Sequence, residues 1–154
     1  MNILAKYFVT LFGVGYIPLA PGTFGSVFAI LVWYLFITYL NIYLFYVMLS
    51  VIIFLSFKLT QIYLDKEKKE DPSEVIIDEF IGQSLPLFLL LQYNIYEVLL
   101  AFCSFRFFDI FKIYPVNKAE NIAGAKGVIM DDIIAGIYAI IIILAYRIIL
   151  FSNA

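Results

Sequence analysis

The sequence predicts an all-α fold: a polytopic integral membrane helical bundle of about five transmembrane helices, with an N-terminal interfacial or re-entrant segment. Three observations predict it. Hydrophobic residues make up 64% of the 154 residues and charged residues only 14%, against about 45–50% and about 25% in soluble domains. No residue from Tyr7 to Phe57 is charged, a stretch far longer than the roughly 20 apolar residues that one spanning helix needs. Glycines, prolines and short charged runs divide the remaining apolar stretches. Residues 1–154 read as a single membrane-embedded domain.

The elements follow in order. Residues 3–17 are too short before Pro18 to span, so they are expected to lie in the interface or to dip in and return. Lys6 is the only early base and no small-residue cleavage site follows, so no cleaved signal is expected. Gly13, Gly15, Pro18, Pro21, Gly22 and Gly25 break the next stretch. A first spanning helix is expected over residues 25–40, a turn at Asn41 and a second helix over 42–64. One continuous helix would overshoot a hydrocarbon layer about 30 Å thick. Residues 65–71 (DKEKKED) read as a solvated loop. A third helix is expected over 78–93, bent at Pro86. A fourth covers 96–113, a polar loop 114–126 and a fifth helix 128–150.

These crossings place Lys66, Lys68, Lys69, Lys112, Lys118 and Lys126 on one side, with Lys6 beside them if the N-terminus is there. Arg147 falls on the other. The positive-inside rule then makes the crowded side cytoplasmic, with the N-terminus in and the C-terminus out. Five carboxylates map to that same side, at the ends of three helices: Asp78, Glu79, Asp109, Asp131 and Asp132. Each would cost about 2.5–3.5 kcal/mol at mid-bilayer, and as neighbours they repel. A shared divalent cation is the simplest way to gather them. Hard oxygen donors without histidine or cysteine favour Mg²⁺, then Mn²⁺ or Ca²⁺. The plain alternative is a set of interfacial carboxylates with water and lysine neighbours. Glu97, at the far end and without an acidic partner, reads as interfacial.

The inventory excludes much else. There is no histidine, which removes Ser-His and Cys-His catalysis and histidine-ligated zinc. The one cysteine, Cys103, reads as a small core hydrophobe. A net charge of −2 with no basic stripe argues against nucleic acid as a partner.

Four motifs carry the remaining chemistry. Pro21-Gly22-Thr23-Phe24-Gly25-Ser26 precedes the first spanning helix. Gly22 and Gly25 let the backbone approach a ligand, Thr23 or Ser26 can cap the helix or donate a hydroxyl, and a helix N-terminus attracts phosphate. A Pro-Gly turn with a cap also accounts for it. In Asp78-Glu79-Phe80-Ile81-Gly82, adjacent carboxylates diverge by about 100° and Gly82 permits close packing. In Arg106-Phe107-Phe108-Asp109-Ile110-Phe111-Lys112, Arg106 and Asp109 share a face and can pair or hold a common ligand, while Lys112 extends that face to the interface. Gly127-Val128-Ile129-Met130-Asp131-Asp132 brings two carboxylates into the first turn of the fifth helix, where capping alone needs one.

In this order and spacing, PGTFGS, DEFIG, RFFDIFKIYP and GVIMDDIIAG resemble the bacterial phosphatidylglycerophosphatase A family, over residues 13–136. The family's lysine-proline pair appears here as Lys112-Ile113, with the proline at Pro115. The resemblance implies a Mg²⁺-dependent enzyme of the bacterial cytoplasmic membrane, using one or two ions. It would remove the terminal phosphate of phosphatidylglycerophosphate at the cytoplasmic face. Glu79, Asp131 and Asp132 are the expected metal ligands, with Asp78 and Asp109 as further candidates, and all five are candidate catalytic groups. Arg106 and Lys112 would clamp phosphate, with backbone or hydroxyl donors near Gly22, Thr23, Gly25 and Ser26. An oligomer is permitted but not implied. The competing reading is a small ion or proton permease, which would place its carboxylates along the depth of the bundle.

Overall fold

The computed structural model describes residues 3–68 and 72–152. The elements are α1 (Ile3–Val9), a single 3-10 turn (Val14–Tyr16), α2 (Pro21–Tyr39), α3 (Ile42–Glu67), α4 (Ile77–Leu87), α5 (Ile95–Phe111), α6 (Val116–Glu120) and α7 (Ala125–Ser152). The fold is all-α, with no strand among the described residues.

The hairpin at Asn41 forms as the sequence predicts. Asn41 Oδ1 accepts from the Tyr43 amide at 2.8 Å and starts α3, and Asn94 does the same for α5 through Tyr96 at 3.0 Å. Helix α3 runs three residues beyond the expected end, to Glu67, and closes on Lys68 at φ 53°. The rest of the expected 65–71 loop, residues 69–71, lies outside the described residues. The expected 114–126 loop contains α6, and α7 starts at Ala125 rather than near residue 128. Cys103 is exposed on α5 rather than buried in the core, because its helix turns that face outward.

Residues 3–17 form α1, a reversal through Leu11, Phe12 and Gly13 at positive φ, and the 3-10 turn. This segment is tied to the chain before α4. The Ile76 amide donates to Val9 O at 2.9 Å, and Tyr63 Oη of α3 reaches Glu74 Oε1 at 3.2 Å. Ile3, Leu4, Tyr7 and Phe12 remain exposed, as suits a segment at an apolar boundary.

Helices α2, α3 and α7 are long and apolar enough to cross a membrane. Helix α5, with 17 residues, reaches about 25 Å. Helix α4 has 11 residues, about 16 Å of rise, and enters a 30 Å layer only part way. Three helices are thus long enough to span, α5 comes close, and α4, where the third crossing is expected, is much shorter than expected. It sits at the centre, packed by α2, α3, α5 and α7, and Phe80, Ile81, Gln83, Ser84 and Leu87 are all buried.

Pro86 explains the early stop. It has no N–H for the carbonyl four residues back, that of Gly82, and this carbonyl instead faces Gly136 of α7. The apolar run after Pro86 does not continue the helix. It tightens through Leu89 N to Pro86 O at 3.2 Å and Leu90 N to Leu87 O at 3.0 Å. Irregular backbone at membrane depth needs partners for its carbonyls. Three side chains supply them: Tyr46 Oη donates to Phe88 O at 3.0 Å, Arg147 Nη1 to Leu89 O at 3.2 Å, and Trp33 Nε1 to Leu90 O at 3.3 Å.

Candidate functional site

Helix α4 begins with Asp78 and Glu79, the only acidic residues of its first turn. Its burial carries both into the bundle. Helix α7 brings Asp131 and Asp132 alongside; with its start at Ala125 they occupy the second turn rather than the first. Helix α5 brings Arg106 and Asp109 from the third side and ends at Lys112, whose φ of 45° closes the helix. All five carboxylates border one cavity of about 630 Å³, together with Lys112 and the loop before α7.

The five are not equivalent. Asp109 Oδ2 accepts from Arg106 Nη1 at 2.6 Å. Asp131 Oδ2 accepts from Lys112 Nζ at 2.7 Å, and Asp131 Oδ1 from the Asp132 amide at 3.0 Å. Asp78, Glu79 and Asp132 have no such cationic ion pair among the described residues. One carboxylate oxygen from each lies within 4.8 Å of the other two. Asp78 Oδ1, Glu79 Oε2 and Asp132 Oδ2 are buried without a hydrogen-bond partner. Unpaired buried acceptors cost free energy, and three anionic ones repel. This all-oxygen, histidine-free and cysteine-free group fits a hard divalent cation. The structure thus brings Glu79 and Asp132 together with Asp78, while Asp131 turns to Lys112.

Lys112 also reaches Glu120 Oε1 of α6 at 3.0 Å. Burial alone would lower its pKa, but the hydrogen bonds and charges of Asp131 and Glu120 outweigh burial and hold it above the ordinary lysine value. The ammonium therefore stays charged at the cavity wall.

The motif at the start of α2 has a packing role in this structure. A Cβ on Gly22 would overlap Glu79 Oε1 and lie 3.2 Å from Arg106 Nη1. One on Gly25 would lie 3.0 Å from Ile76 O. Ser26 is buried, and its Oγ donates to Gly22 O at 3.0 Å. Thr23 does not line the cavity; of this motif only Pro21 does. The α2 N-cap is Ala20, with no side-chain cap. The motif seats α2 against the acidic turn of α4.

Sequence reasoning missed several positions. Gln61 of α3 accepts from the Ala125 amide at 3.0 Å and so holds the start of α7. Glu120 completes the Lys112 cluster. Glu97 is not merely interfacial: Arg147 Nε and Nη2 each donate to it at 2.8 Å, in a fork. Gln83, one turn below Glu79, is fully buried with both amide atoms unpartnered. A polar residue inside an apolar run was the available signal for Gln83, and Glu97 and Arg147 were already placed on one side; nothing local announced Gln61 or Glu120.

Comparison with known proteins adds a family. The sequence profile described as phosphatidylglycerophosphatase A matches residues 7–147. The chain is 34% identical over 142 residues to a Bacteroides thetaiotaomicron protein named "Putative phosphatidylinositol-3-phosphatase", covering 88% of this chain and 89% of that one. It is 31% identical to a Haemophilus influenzae phosphatidylglycerophosphatase A, covering 88% and 84%. It is 34% identical to an Escherichia coli phosphatidylglycerophosphatase A, covering 82% and 73%. No solved structure matches it significantly.

Proposed function

Starting from the fact that this chain belongs to the phosphatidylglycerophosphatase A family, we propose that it hydrolyses the terminal phosphate monoester of phosphatidylglycerophosphate, with Mg²⁺, at the cytoplasmic face of a bacterial membrane. The observation that carries the metal dependence is the convergence of Asp78, Glu79 and Asp132 with unpartnered oxygens. The carboxylates gather at one end of the bundle rather than along its depth, which favours an enzyme over a permease.

In this reading Asp78, Glu79 and Asp132 hold the ion, with Asp109 and Asp131 beside them. When bound, the cation supplies charge neutralisation at phosphate oxygens and acidifies a bound water. The protein's own groups do the rest. Lys112, charged and facing the cavity, attracts the phosphate dianion. Arg106 stands behind Asp109 and Glu79 and adds positive charge. Histidine being absent, a carboxylate takes the proton of the attacking water as its oxygen bonds to phosphorus. The phosphorus–oxygen bond to the glycerol breaks, and the leaving oxygen takes up a proton, giving phosphatidylglycerol and phosphate.

Orientation follows from charge. Lys66, Lys68, Lys112, Lys118 and Lys126 lie at or beside the helix ends nearest the site, and Arg147 at the other end is spent on Glu97. The positive-inside rule favours a cytoplasmic site.

The test is phosphate release by the purified chain in vesicles containing phosphatidylglycerophosphate, with EDTA and after Mg²⁺ is restored. Release that EDTA abolishes and Mg²⁺ recovers is expected. Release unaffected by EDTA would remove the metal site from the mechanism. Phosphatidylinositol 3-phosphate belongs in the same assay because of the Bacteroides relative's name; preferential turnover of that lipid would reassign the substrate.

A further inference from the structure

A second hollow, of about 490 Å³, lies between α2 and α5 on the outside of the bundle. Val27, Leu31 and Tyr34 line it from α2, and Ile95, Leu99 and Phe102 from α5. Each trio is spaced i, i+4, i+7, so each is one continuous helix face. Leu31 and Leu99 are about half exposed, at 55% and 52%, whereas Val98 at 5% forms a closed floor. At the end away from the acidic site, the rings of Tyr34 and Tyr93 meet edge-on with centroids 5.4 Å apart.

The α5 face does not stop at Phe102. Four residues further along it is Arg106, and three beyond that Asp109. Phe102 and Arg106 are separated by about 6 Å of helix rise. At this level the Arg106 side chain reaches across to α2, since a Cβ on Gly22 would lie 3.2 Å from Arg106 Nη1. The groove therefore leads, along a single helix face, from the apolar exterior to the charged residues of the site. The hollow at the other end of the bundle has no such continuity; it is rimmed by the Glu97–Arg147 pair.

We propose that the groove between α2 and α5 seats one acyl chain of the substrate lipid while its phosphate is held in the acidic cavity. The inference rests on the lipid-phosphatase reading above and adds the route by which the lipid is aligned. Lipid tails are about as apolar as leucine side chains, so little transfer free energy is gained by leaving the bilayer for the groove. Its effect is orientation: a chain laid along α5 directs the headgroup past Arg106 rather than away from it. A soluble phosphate monoester receives no such alignment.

The test uses the full chain in phosphatidylcholine vesicles with a phosphatidylglycerophosphate carrying a mid-chain diazirine. After illumination, labelled peptides are mapped with and without excess unlabelled phosphatidylglycerophosphate, or excess phosphatidylethanolamine. Label concentrated on residues 27–34 and 95–102, reduced at least fivefold by phosphatidylglycerophosphate but not by phosphatidylethanolamine, is the expected result. Label spread equally onto exposed Phe54 and Ile141, or indifferent to the competitor, would overturn the groove. In parallel, Leu31→Trp and Leu99→Trp should each raise KM for the diacyl substrate about fivefold and leave kcat within twofold, while Ile141→Trp changes neither; an unchanged KM in both groove variants also overturns it. Phosphate release by the unmodified chain in the same vesicles separates the two levels. No release sinks the lipid-phosphatase reading itself, whereas release with uncompeted labelling sinks the groove alone.

Discussion

Gly22 and Glu79 approach so closely that a Cβ added to the glycine would overlap the glutamate's Oε1 and push that carboxylate aside. Two helices distant in sequence thus set one carboxylate's position. Gly22→Ala should displace Glu79 and lower turnover by about 10²-fold, while the protein still inserts and purifies as a folded species. Activity within threefold of the unmodified enzyme would show that Glu79 tolerates the shift.

Asp132→Asn and Asp78→Asn should each abolish Mg²⁺-dependent phosphate release. Without metal, both should also be more stable than the parent, because each removes one of three clustered buried anions. Thermal melting in EDTA and in Mg²⁺ reads both effects. Mg²⁺ is expected to raise the Tm of the parent by mass action and to leave that of the variants almost unchanged. Equal Mg²⁺ stabilisation of all three proteins would place the ion elsewhere.

Lys112 is held between Asp131 at 2.7 Å and Glu120 at 3.0 Å. Lys112→Met should cut kcat/KM by about 10²-fold, an order set by losing a charge-assisted contact from a largely enclosed site. Glu120→Gln, which removes only the more exposed partner, should cost less than about tenfold. Steady-state kinetics on the two variants decide the order, and a larger loss at Glu120 would contradict it.

Arg147 serves both Glu97 and the free Leu89 carbonyl. Arg147→Met should destabilise the fold by about 1–3 kcal/mol, below the range for wholly buried pairs because the arginine is 30% exposed. Adding Glu97→Gln should recover part of that loss. Unfolding in denaturing detergent measures both. Activity at low temperature should stay near the parent value, since the pair stands at the opposite end from the acidic cavity.

The acidic cluster could be read from sequence because charge is conspicuous in apolar runs. Asp78, Glu79, Asp109, Asp131 and Asp132 are conspicuous for that reason, and they border one cavity. Their division of labour was hidden. Whether Asp131 or Asp78 joins Glu79 depends on helix rotation, and a helix apolar on all sides carries no periodic signal of it. The length of α4 was hidden for a related reason. Residues after Pro86 are as apolar as those before it, and the donors that hold the broken end come from Trp33, Tyr46 and Arg147, more than 40 residues away. The glycines of the α2 motif suggest room for a ligand from sequence alone; the fold adds a second reason for them, since they also let α2 approach Glu79 and Ile76.

The broken end of α4 also bears on assembly. Too short to be threaded across a bilayer as a separate unit, the half-helix needs walls before it can settle, and α7, which follows it in the chain, forms one of them. That same helix delivers Asp131 and Asp132 to the cavity and Arg147 to the Leu89 carbonyl. Without α7 the described helices enclose neither the buried half-helix nor a cavity bearing Asp131 and Asp132, so one packing event completes both the interior and the acidic cluster.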